Sequence, residues 1–126
     1  MEASGEVAGE ALPPGPAPAM GSAHGWLVVL EGFYEGLELP IDRRRLVIGR
    51  GHNADYVLSD PTISRAHAVV GVGDDGCFVQ DLGSTNGTLV NGERADRACL
   101  REGDEIQMGK LRFRVRLAPK AEGRRR

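Results

Sequence analysis

Apolar residues in this chain arrive in short runs, and a turn-forming residue ends each run before it reaches helical length. Trp26-Leu27-Val28-Val29-Leu30, Leu46-Val47-Ile48, Ala68-Val69-Val70 and Cys77-Phe78-Val79 are the clearest, with Gly, Asp, Asn or Pro between them. Runs of this length, rich in β-branched residues, read as strands. Residues 111–117 alternate apolar and basic side chains, the pattern of a strand with one face buried and one wet. Asp75-Gly76, Asn86-Gly87 and Asn91-Gly92 read as hairpin turns. No segment carries an i, i+3, i+4 stripe. The expected fold is all-β, a sandwich of two twisted, mostly antiparallel sheets with a binding site in loops at one end.

Composition divides the 126 residues. Residues 1–25 hold Pro13-Pro14-Gly15-Pro16-Ala17-Pro18 among Ala, Gly and Glu without apolar periodicity, the texture of a disordered leader. Residues 26–117 contain every strand-like run and are enough for one modest core. Residues 118–126 end in Arg124-Arg125-Arg126 and are expected to form a basic, frayed tail. The central part carries 12 basic and 14 acidic residues. Without a basic surplus it is poorly suited to nucleic acid, so any anion site must be local.

No apolar run approaches the ~20 residues needed to cross a bilayer, and the N-terminus lacks the basic-then-apolar order of a signal peptide. A cytoplasmic protein without a membrane partner is expected. Cys77 and Cys99 form no C-x-x-C pair and read as two buried thiols. His24, His52 and His67 are scattered, and there is no G-x-x-x-x-G-K-[ST] loop, so neither a metal nor a cofactor is expected.

Polar and glycine residues concentrate in three segments, each beside an expected strand: Gly49-Arg50-Gly51, Thr62-Ile63-Ser64-Arg65-Ala66-His67, and Asp81-Leu82-Gly83-Ser84-Thr85-Asn86-Gly87-Thr88. Loops of a sandwich gather at its ends, so these three can converge on a cation, hydroxyls, an amide and backbone N–H groups. Such groups bind oxyanions. Gly49-Arg50, the Ser64-x-x-His67 spacing, the 81–88 segment and Asn91-Gly92 together resemble the signature of the forkhead-associated (FHA) domain, over residues 26–117.

The resemblance implies an FHA-like sandwich in which Arg50, Ser64, Arg65 and Thr85 surround a phosphate and Asn86 holds the main chain of a bound peptide. Gly49, His67 and Gly87 would support the loops. It also implies a non-catalytic phosphothreonine-binding adaptor in Ser/Thr kinase signalling, whose partner is a threonine-phosphorylated protein or peptide. The chemistry agrees: a phosphothreonine brings about −1.5 to −2 charge and three acceptor oxygens to a guanidinium fork and hydroxyl donors.

Other readings of the same residues are weaker. A Ser64–His67–Asp81 triad would need an activated nucleophile, yet neither serine loop has a G-x-S-x-G elbow. Arg112, Arg114 and Arg116, and the run Arg43-Arg44-Arg45, read as solvated surface. The alternative function is a phospho-independent scaffold that uses a sheet face.

Overall fold

The computed structural model describes residues 23–119. The expected basic tail from 120 onward and nearly all of the expected leader lie outside those residues. In chain order the strands are β1 (Gly25–Val29), β2 (Glu38–Ile41), β3 (Leu46–Gly49), β4 (Tyr56–Val57), β5 (Ala68–Gly73), β6 (Gly76–Asp81), β7 (Thr88–Val90), β8 (Glu93–Arg94), β9 (Arg97–Cys99), β10 (Glu105–Met108) and β11 (Leu111–Leu117). Gly25, the last residue of the expected leader, pairs with Leu117 and Ile41.

Two sheets form, ordered β9-β6-β5-β3-β4 and β2-β1-β11-β10-β7-β8. β3 and β4 pair in parallel and the other pairs are antiparallel. The period-2 pattern of residues 111–117 does what it predicts. Leu111, Phe113 and Val115 face inward and are buried, while the arginines between them point outward. The core they enter also takes Leu27, Ile41 and Ile106 from their own sheet and Leu46, Ile48, Val70 and Val79 from the other. Each such side chain contributes about 1.5–3 kcal/mol through burial.

Two expectations change, at Asn86-Gly87 and at Cys99. Asn91-Gly92 is a two-residue hairpin, with Val90 opposite Glu93 and φ of 52° and 86° at the turn. Asn86-Gly87 is not a hairpin: it lies where the chain passes from β6 in one sheet to β7 in the other, and only Gly87 has positive φ. Cys77 is buried as expected, and burial pushes its thiol pKa up. Cys99 is exposed, because it sits on β9, a three-residue strand at the sheet edge.

Register decides where function can sit. Ile48 pairs with Ala68, Ala68 with Asp81, and Met108 with Thr88. The end of β3, the start of β5, the end of β6, the start of β7 and the β10–β11 turn therefore meet at one end of the sandwich. All three polar segments are delivered there.

Candidate functional site

Gly49 lets the first two segments touch. A Cβ on it would lie 1.9 Å from the Arg65 carbonyl oxygen, so no other residue fits against the main chain of the second loop. That approach is closed by two backbone bonds, Arg50 N–H to Ser64 O at 3.1 Å and Gly51 N–H to Arg65 O at 3.1 Å. The Arg50 side chain is pinned as well, its Nε–H donating to Ile63 O at 2.8 Å. Its other guanidinium nitrogens have no carboxylate within 4 Å among the described residues.

His67 joins the second segment to the third. It has no exposed surface, and its Nδ1 accepts the Ser64 backbone N–H at 3.1 Å. A backbone nitrogen can only donate, so Nδ1 is unprotonated and Nε2 carries the hydrogen. Nε2 lies 2.9 Å from Gly87 O and donates to it. Ser64 Oγ accepts the Thr85 N–H at 3.0 Å, which leaves the hydroxyl hydrogen to point at another acceptor. The imidazole is thus occupied on both sides by backbone. It neither activates Ser64 Oγ nor contacts Asp81, so the triad arrangement does not form.

Asp81 organises the third segment. Its carboxylate accepts Gly83 N–H at 2.9 Å, Ser84 N–H at 3.0 Å, Ser84 Oγ–H at 2.6 Å and Thr88 Oγ–H at 2.7 Å. Ser84 Oγ in turn accepts Gly87 N–H at 2.9 Å. Burial pulls the Asp81 pKa upward, but the bonds from Ser84, Thr88 and Gly83 together outweigh it and hold the carboxyl below its ordinary value. A carboxylate depressed in the folded state stabilises at pH above its unfolded value, near ~3.9, and loses that contribution as pH falls through the folded value. Asp81→Asn is expected to cost roughly 2 kcal/mol at neutral pH, measured by chemical denaturation, with the gap to wild type narrowing below about pH 4. A gap that stayed constant down to pH 3 would contradict this role.

Thr62 is a node that sequence reasoning placed only near the site. Its carbonyl accepts Asn86 Nδ2–H at 2.7 Å, so the amide oxygen of Asn86 remains to accept from a ligand. Its hydroxyl accepts Lys110 N–H at 2.8 Å and bonds to Asp60 Oδ1. Gly109 in the β10–β11 turn packs so close that a Cβ would come within 2.3 Å of Thr62 O. The signal for this contact is a Gly-Lys pair 47 and 48 residues away, which no local pattern reveals.

Arg50, Ser64, Arg65, Thr85 and Asn86 are thus brought together at one loop end. Ser64 is half-buried and the other four are exposed. His67 and Gly87 are buried beneath them. A groove of about 740 Å³ runs off from Arg50 and Arg65. Among the described residues no three His, Cys, Asp or Glu side chains gather as metal ligands.

Residues 46–109 match the family model of the FHA domain. The chain is 40% identical over 111 residues to the glycogen accumulation regulator GarA of Mycobacterium tuberculosis, covering 88% of this chain and 64% of that protein. It is 40% identical over 97 residues to the oxoglutarate dehydrogenase inhibitor of Corynebacterium diphtheriae, covering 77% of this chain and 68% of that one. The chain therefore spans somewhat under two thirds of the length of the mycobacterial relative. Among solved structures, one described in a study of phosphothreonine-dependent FHA domain interactions superposes with a TM-score of 0.70 at 31% identity, over 77% of this chain and 99% of that one.

Proposed function

The chain belongs to the FHA domain family, and on that premise we propose that it is a phosphothreonine-reading module that acts by binding and not by catalysis. In this reading Arg50 and Arg65 supply the positive charge, Ser64 donates its hydroxyl to a phosphate oxygen, and Thr85 closes the pocket. Asn86 turns its amide oxygen to the peptide main chain. Gly49, His67 and Gly87 hold the three loops in register. The partner is a threonine-phosphorylated protein, made and unmade as a ligand by a Ser/Thr kinase and a phosphatase, in the cytoplasm.

The observation that carries the proposal is the shared framework: Arg50 N–H on Ser64 O, Ser64 Oγ on Thr85 N–H, and His67 bridging Ser64 to Gly87. The Arg50 cation, the Ser64 hydroxyl and the Asn86 amide are each bonded to loop backbone before any ligand arrives, which reduces the ordering cost of binding. The relatives named as a regulator and as an enzyme inhibitor support a protein that works through association. No helix among the described residues is long and apolar enough to cross a membrane.

No observation favours the scaffold reading. Arg112 and Arg116 on the outer face of the second sheet are paired with Glu31, Glu105 and Glu102 at 2.6–3.0 Å. A test is titration of the protein against three degenerate peptide pools centred on phosphothreonine, phosphoserine or threonine. Binding is expected for phosphothreonine, with phosphoserine several-fold weaker and threonine silent. Equal binding of phosphothreonine and threonine would overturn the proposal.

A further inference from the structure

Two sets of arginines in this fold differ in how their charge is met. Arg112, Arg114 and Arg116 each have a glutamate within 4 Å. Arg45, Arg50 and Arg65 form no ion pair among the described residues, although all three line the same groove of about 740 Å³. His52 and Asn53 add further polar groups to its wall. The neighbouring acid, Asp55, accepts the Val47 N–H through Oδ2 at 2.8 Å and is not among the residues that line the groove. With three arginines and no acid in its lining, the groove is cationic.

The phosphothreonine pocket accounts for one end of this charge. Arg45 and Arg50 flank β3 at its two ends, five residues and about 16 Å apart in extended chain, and one phosphate cannot engage both at full strength. Resting on the reading above, we propose that the groove is a second anion subsite for the same ligand. It takes a carboxylate or phosphate carried three to five residues from the phosphothreonine, and Arg45 is the residue that selects for it. An anion there meets a guanidinium fork suited to bidentate oxyanion contact.

The test is calorimetric titration of the full chain with peptides that share one phosphothreonine. One peptide has neutral flanks, others carry glutamates three to five residues before or after it, and the last two carry a second phosphate at those places. Wild type is expected to bind an acidic or doubly phosphorylated peptide roughly fivefold more tightly than the neutral one. Arg45→Ala should erase that gain and leave the neutral peptide unchanged. Arg101→Ala, which removes one positive charge from the far end of the sandwich, should keep it. The glutamate and phosphate arms show which anion is preferred.

A neutral peptide that binds normally while no second anion adds affinity overturns the subsite alone. A gain that survives in Arg45→Ala, or falls equally in Arg101→Ala, also overturns it, as undirected attraction. Failure of the neutral phosphothreonine peptide to bind wild type overturns the phosphothreonine reading and the subsite with it.

Discussion

Arg50→Ala is expected to weaken binding of a phosphothreonine peptide by at least roughly thirtyfold while leaving a folded protein. The lost group is a cation pinned to the second loop through its Nε–H bond to Ile63 O, and truncating one partner of a charge-assisted pair costs about 2–5 kcal/mol of affinity. The fold loses only the bond from Nε to Ile63 O, worth about 1 kcal/mol, because Arg50 is exposed and carries no ion pair among the described residues. Its backbone bond to Ser64 O remains available to alanine. Arg50→Lys keeps the charge without the planar fork and should fall between the two. An Arg50→Ala protein that binds like wild type would remove Arg50 from the phosphate site.

His67→Ala is expected to act in the other order, on stability first and on binding as a consequence. Removing the ring opens a cavity at a position with no exposed surface and strands the Ser64 N–H and the Gly87 carbonyl. Cavity and unmet polar groups together are expected to cost about 3 kcal/mol, which for a domain of this size lowers Tm by more than ~10 °C. Measured well below the new Tm, affinity for phosphothreonine should still fall, because the Ser64 and Thr85 loops lose their common anchor. Thermal melts and titrations of the same sample separate the two effects. A His67→Ala protein with unchanged Tm and affinity would show that the histidine holds nothing in place.

The parts of this molecule legible in sequence are those governed by local periodicity or by a composite motif. Alternation marked β11, apolar runs marked β1, β3, β5 and β6, and Asn91-Gly92 marked its hairpin. The three polar segments were visible as segments, and register then placed them together. What stayed hidden has no local signature. β4 is two residues long and is held by parallel pairing to β3, and β8 and β9 are edge strands of two and three residues. The exposure of Cys99 follows from that edge position, which its own neighbours in sequence do not betray. The Thr62–Gly109–Lys110 contact joins residues nearly fifty apart, and only the assembled sandwich shows it.

The most direct test of the central claim is the change in backbone amide NMR shifts when the protein is titrated with a phosphothreonine-centred peptide, compared with its unphosphorylated counterpart. The account predicts phosphate-dependent shifts concentrated at residues 50, 64–65 and 85–86, with the outer face of the sheet that holds β1 and β11 unmoved. Shifts that appear with either peptide, or that map to β1 and β11, would contradict a phosphate reader at the loop end and place the interaction on a sheet face instead.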